Sequence, residues 1–262
     1  MTTYAVDKNY QSTITENDSK SIGDVDYKRY LKYIWIPDDW NENNNSSSSL
    51  RIDKVVDGVV SGRFCSELAI PEWFNNPEEY LKYNDNNMSG ELINGVAECV
   101  FDGCGKGNIR IEFIGKNSIK AEIKYTEKDE SRKEFEDGTF IYRPYKIKDH
   151  LLFVVNDNLE VETKLDSWGN VRIVSGQQET SHAVPVIYMT DQDDNILYRF
   201  GAPYQHDSYA KEVIVEDMNG DGFQDVRIIT SINDTPPEYD FIWNFFQLEN
   251  GWFFMERSGY VP

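Results

Sequence analysis

Cysteine, histidine and positive charge are scarce in this chain, and long apolar runs are missing. Three cysteines, Cys65, Cys99 and Cys104, stand among 262 residues. An odd count permits at most one internal disulfide. Cys99 and Cys104 bracket the short VFDG segment and could be bridged only if their side chains faced each other. Free, partly buried thiols are therefore the reading taken, with Cys65 paired to neither. The three histidines, His150, His182 and His206, include no two at metal-ligand spacing. No apolar run approaches the ~18 residues that a membrane span needs. Lys plus Arg number 26 against 46 Asp plus Glu, a net charge of −20. Such a field repels phosphate backbones and anionic lipid heads, which argues against nucleic-acid and membrane-surface partners. It favours basic partners and divalent cations, and it also serves solubility alone. The first twenty residues contain neither the basic nor the apolar region of a secretory leader. A cytoplasmic protein, or one whose leader has been removed, is expected.

Catalytic signatures are missing too. There is no G-x-S-x-G elbow, no P-loop and no G-x-G-x-x-G after a strand. FDGCGKGN (101–108) is rich in glycine but lacks P-loop spacing and precedes a strand, so it reads as a turn. Glu67, Glu72 or Asp102 could in principle serve a glycosidase pair. Nothing marks them above a background of 46 carboxylates.

Aromatic residues are plentiful, at 14%, and apolar residues make up 39%. Tyr, Phe and Trp suit half-buried pleated surfaces. The expected fold is mainly β, an N-terminal antiparallel meander (barrel-like or half-barrel) followed by a second antiparallel unit. Residues 1–23 read as a polar, flexible lead-in, 24–145 as the meander, and 146–262 as the second unit. Tyr27, Tyr30, Leu31 and Ile34 fall at helical intervals, which predicts a helix over 24–35 stopped by Pro37. Asn76-Pro77-Glu78-Glu79 resembles a helix start and predicts a short helix over 77–84. Asp57-Gly58 marks a hairpin within 51–64. NIRIEFIG (108–115) and SIKAEIKY (118–125) alternate apolar and charged residues as half-buried strands do. Eight further strand candidates follow residue 149, most ended by Gly, Asn or Asp.

One segment carries specific chemistry. VIVEDMNGDGFQDVRII (213–229) contains a D-x-N-x-D-G-x-x-D array. A hard divalent cation needs several oxygen ligands in a small volume. Asp217, Asn219 and Asp221 occupy positions 1, 3 and 5 of a tight loop. Gly222 permits the backbone reversal, the Phe223 carbonyl is available at position 7, and Asp225 stands at position 9. Position 12 is Ile228 rather than the bidentate Glu of an EF-hand, and the flanks are β-type. A strand-loop-strand calcium (Ca2+) site is expected, against the alternative of a metal-free Asp/Asn/Gly turn. A second acidic cluster, TDQDDNI (190–196), lacks the turn glycine and the ninth-position carboxylate, and reads as a solvated hairpin tip.

WGNVRIVSG (168–176), YMTDQDDNILYRFG (188–201), the calcium-type loop and FFQLENGWFFME (245–256) resemble the C-terminal module of uncharacterised extracellular and lipoprotein-like proteins of Gram-positive bacteria. In that group the strand-loop-strand calcium motif is similar to FG-GAP and VCBS repeats of propellers. A distantly similar module occurs in periplasmic lysozyme-inhibitor-like immunity proteins. Residues 51–142 resemble the meander that precedes the module, so the likeness spans most of 50–256. Those relatives usually begin with a leader, and this chain does not. The resemblance implies a propeller-like calcium motif and an extracellular or cell-surface, non-catalytic binding role, with an unidentified protein or cell-envelope ligand. The alternatives are an inhibitor or immunity-type protein that blocks a basic cell-wall hydrolase such as a lysozyme, and a carboxylate-dependent carbohydrate-active enzyme.

Overall fold

Along NIRIEFIG the side chains of Ile109, Ile111 and Phe113 are buried while those between them are not. That period of two places one face of a strand in a core and the other in water. The computed structural model describes residues 26–40, 49–64, 87–103, 105–115, 117–128, 136–150, 153–178, 184–232, 239–249 and 251–261. Eight strands of this kind close into an antiparallel barrel: β1 (Trp35–Pro37), β2 (Leu50–Val56), β3 (Val59–Phe64), β4 (Met88–Ile93), β5 (Val96–Gly103), β6 (Gly105–Ile114), β7 (Ser118–Glu127) and β8 (Gly138–Pro144). Each pairs with the next in sequence, and Trp35 opposite Pro144 closes the ring between β1 and β8. Closure removes the sheet edges that an open meander would expose. Asp57-Gly58 and Asn94-Gly95, all four at positive φ, turn β2 into β3 and β4 into β5. A Cβ on inward-facing Gly90 would overlap the Glu98 carbonyl of the neighbouring strand, so no other residue fits there. Rings fill the interior: Phe64 meets Phe101 at 4.7 Å and Tyr30 meets Phe113 at 4.8 Å between centroids.

The predicted helix over 24–35 is not formed among the described residues. A single 3-10 turn, Tyr27–Tyr30, is capped by the Asp26 side chain, which accepts from the Lys28 N–H. Lys32 then takes a left-handed φ of 71°, and the chain runs extended into β1. The helical spacing misleads because the apolar residues serve two cores. Tyr30 and Trp35 enter the barrel, whereas Ile34 and Ile36 join a second cluster outside it. The predicted helix over 77–84 lies outside the described residues.

After a short 3-10 turn, Ile147–Asp149, two four-stranded sheets follow. One is β9 (Phe153–Leu165), β10 (Gly169–Gln178), β11 (Pro185–Thr190) and β12 (Ile196–Arg199). The other is β13 (Ser208–Glu216), β14 (Asp225–Ile232), β15 (Tyr239–Gln247) and β16 (Phe253–Val261). Each is a simple antiparallel meander, the strand order of a propeller blade. Val171, Ile173, Ile187 and Met189 of the first sheet share one core with Val226, Ile228, Trp243 and Phe245 of the second, which makes a sandwich.

Barrel and sandwich are joined along β12. The Ile34 N–H donates to the Ile196 carbonyl (3.4 Å), the Ile196 N–H to the Tyr145 carbonyl (2.8 Å), and the Tyr145 N–H to the Ile34 carbonyl (2.7 Å). Ile34, Ile36 and Tyr145 from the barrel side pack with Val186, Tyr188 and Ile196 from the sandwich. No helix among the described residues is long and apolar enough to cross a membrane.

Candidate functional site: the β13–β14 loop

Strands β13 and β14 pair from Ser208 opposite Ile232 to Glu216 opposite Asp225, and the eight residues between the last pair form the loop. Gly220 and Gly222 hold φ values of 75° and 93°, which gives the reversals expected of the glycine after Asp221 and one more besides. The loop folds upon its own acceptors. Asp217 accepts from the Gly220 N–H (2.7 Å) and the Gly222 N–H (3.0 Å) through its two oxygens. Asn219 Oδ1 accepts from the Asp221 N–H (3.0 Å), and Asp221 Oδ1 from the Phe223 N–H (2.8 Å). Asn219 Nδ2 donates to Asp221 Oδ2 at 2.8 Å. These are nested Asx turns, the local bonding that Asp and Asn offer a tight loop.

Asp225 differs from the other four. It is fully buried, with Oδ2 accepting from the Met218 N–H (2.9 Å) and Oδ1 from the Gln247 N–H (2.8 Å). One carboxylate thus fastens the loop to the end of β15. Burial pushes its pKa up, the charges of Asp221 and Asp217 push the same way, and the two N–H donors oppose them.

The structure therefore keeps Asp217, Asn219, Asp221 and Phe223 on one short loop between strands, with Asp225 at the start of β14. Among the described residues no three His, Cys, Asp or Glu side chains converge as a metal cage. The acceptors are turned on the loop's own amides instead. The donor set is oxygen only, which suits a hard cation such as calcium and is unsuited to metals that favour nitrogen or sulfur. Each accepted N–H leaves further lone pairs on the same oxygen. In its chemistry the set fits calcium, with Asp217, Asn219, Asp221 and Asp225 as the side-chain donors.

The second acidic cluster is more than a solvated tip. Asp191 Oδ1 accepts from the N–H groups of Asp193 (2.9 Å) and Asn195 (3.0 Å). Its Oδ2 accepts from Asn195 Nδ2 (2.7 Å) and, across the junction, from the Tyr33 hydroxyl (3.0 Å). Asp194 pairs with Arg172. The cluster locks the β11–β12 turn to the barrel.

Of the carboxylates weighed for glycoside chemistry, Glu67 and Glu72 lie outside the described residues, and Asp102 is exposed on β5 opposite Lys106. Cys99 is free and buried in the barrel, and burial pushes its thiol up to about 12, so little thiolate forms at neutral pH. Cys65 and Cys104 lie outside the described residues. The described residues of FDGCGKGN belong to β5 and β6, which pair as far as Gly103 opposite Gly105.

Sequence reasoning missed one group altogether. Lys32, Arg51 and Arg63 gather over the indoles of Trp168 and Trp252 where the barrel meets the sandwich. Its members come from five separated stretches of chain, and no local spacing announces it. No protein-family model, curated protein or solved structure matches this chain.

Proposed function

We propose that the protein is a calcium-stabilised, non-catalytic binding module of the cell surface or the extracellular space. The observation that carries this reading is the D-x-N-x-D-G-x-x-D array set between two antiparallel strands, with its ninth-position Asp225 tying the loop to β15. A cation held by Asp217, Asn219, Asp221 and Asp225 would offset the mutual repulsion of three carboxylates and stiffen the hairpin. Extracellular sites of this kind bind calcium with Kd of roughly 10⁻⁴–10⁻³ M. At about 1 mM free calcium and a Kd of ~10⁻⁴ M, linkage gives roughly 1.4 kcal/mol. That is modest beside the usual ~5–15 kcal/mol of a domain, so a chelator should lower the melting temperature without unfolding the protein. A resting cytosol would leave so weak a site mostly empty, so a site of this affinity would act where free calcium is millimolar. With a net charge of −20, basic protein or cell-envelope ligands are the favoured partners.

Thermal melting in calcium and in EDTA, on the wild type and on Asp221→Ala, tests the site. Calcium is expected to raise the wild-type midpoint and to leave the variant unmoved. An equal rise in both, or no calcium heat by titration calorimetry, would remove the basis of the reading.

A further inference from the structure

The least expected feature of so acidic a chain is the knot of cations at the junction. Arg51 and Arg63 are directly opposed on β2 and β3, an arrangement in which like charges repel. Both are buried, and they share Asp53, at 3.0 Å from Arg51 and 3.6 Å from Arg63. Arg51 also donates to the Leu197 carbonyl (3.1 Å) of β12. Their guanidinium carbons lie 4.1 and 3.8 Å from the centroid of Trp252.

Lys32 is the member with no ion pair of its own among the described residues. Its ammonium lies 4.9 Å from the centroid of Trp168, the same ring that Arg51 approaches at 5.4 Å. Burial and the Arg51 charge lower its pKa to about 8, and the opposing Asp53 charge does not restore it. The left-handed backbone of Lys32 is pinned by its own N–H, which donates to the Ile52 carbonyl at 2.9 Å. Trp168 is fixed in turn by its indole N–H, which donates to the Gly251 carbonyl at 2.7 Å. Lys32, Trp168 and Trp252 are each half-buried, so the place can be reached from solvent. Junctions between packed units are where small-molecule sites preferentially form.

We propose that this junction binds an oxyanion, the carboxylate or phosphate group of a small ligand, at the Lys32 ammonium beside Arg51, with Trp168 and Trp252 as its aromatic walls. The half-buried Lys32 ammonium near the Trp168 ring supplies the charge-assisted donor that such a group takes, and the buried Arg51 guanidinium near the same ring adds positive charge. The bound anion restores the missing counter-charge. This site is separate from the β13–β14 loop and does not rest on the calcium reading.

The test compares the full-length wild type with Lys32→Met, which keeps an apolar stem over Trp168. Melting is followed at pH 7 and matched ionic strength in chloride, acetate or inorganic phosphate. The wild type is expected to melt higher in phosphate or acetate than in chloride, and Lys32→Met is not. A response to both anions marks a general oxyanion site, and a response to phosphate alone marks a phosphoryl site. Equal responses of wild type and variant would reduce the effect to general salt exclusion and overturn the proposal. Should Lys32→Met fail to fold, acetylation of wild-type Lys32 with acetic anhydride, read by peptide mass spectrometry across pH, decides the matter. Phosphate or acetate must slow that labelling and move its midpoint at least one pH unit upward. An unchanged midpoint would sink the site.

Discussion

Two aspartates of the same array have different physical duties. Asp221 is exposed, and its bonds serve a surface turn. Asp225 is buried, and its loss strands the amides of Met218 and Gln247. An unmade hydrogen bond on a buried donor is expensive, so Asp225→Ala should destabilise the protein by about 2–4 kcal/mol with or without calcium. Asp221→Ala should change calcium-free stability by no more than about 1 kcal/mol. Denaturant melts of both variants in EDTA check the contrast, and equal losses would show that Asp225 is not the fastening. The titration of Asp225 has a sign as well. Its folded pKa is raised, so the fold favours the protonated acid. That contribution is full below the unfolded value near 3.9 and is lost as pH rises through the folded pKa. Ionised Asp225 is thus a local cost at neutral pH, one that a bound cation would offset. In a carboxyl NMR titration, calcium should move the Asp225 midpoint downward. A midpoint indifferent to calcium would count against Asp225 as a ligand.

Among the elements, the β11–β12 turn shows how far local reading reaches. Asp191 gathers four donors, one of them the Tyr33 hydroxyl from the barrel side. Asp191→Ala should cost about 2–3 kcal/mol, whereas Asp193→Ala, whose side chain is exposed, should cost little. Comparable losses in the two would return the cluster to a solvated tip. The alternation of Ile109, Ile111 and Phe113 against Ile119, Ala121 and Ile123 was legible because both strands bury one face in a single core. So was the Asp57-Gly58 turn, whose positive φ values demand those residues. Asn94-Gly95 carries the same signal and makes the same turn. The spacing of Tyr27, Tyr30, Leu31 and Ile34 over 24–35 misleads because Tyr30 supplies the barrel core and Ile34 the junction cluster, and helical spacing cannot distinguish two partners from one face. The calcium-type loop was placed correctly between strands. What its spacing could not show was that Asp225 also holds β15, or that three cations would meet two tryptophans from distant parts of the chain, because long-range packing decides both.

At the scale of the whole molecule, the junction settles whether barrel and sandwich act separately. It combines main-chain bonds along β12, a shared apolar cluster, the Tyr33–Asp191 bond and the Arg–Trp contacts. Neither body can be removed without exposing Ile34, Ile36, Val186 and Ile196, all nearly inaccessible. The two should therefore unfold in one transition, with calorimetric and van't Hoff enthalpies in agreement. Two junction groups should shape the alkaline profile in opposite senses. Lys32 has a depressed pKa of about 8, so stability rises with pH from there toward the unfolded value near 10.4. Burial first, and then the Asp191 charge and hydrogen bond, raise Tyr33 to about 12. Its contribution is full below the unfolded value near 10 and fades as pH climbs through 12. Tyr33→Phe should remove the loss between pH 10 and 12, and Lys32→Met the gain between 8 and 10. Scanning calorimetry of both variants across that range provides the check. A single transition whose midpoint moves in these two directions is expected. Two resolved transitions, one responding to Ile109→Ala in the barrel and the other to Ile228→Ala in the sandwich, would mean that the junction does not couple the bodies.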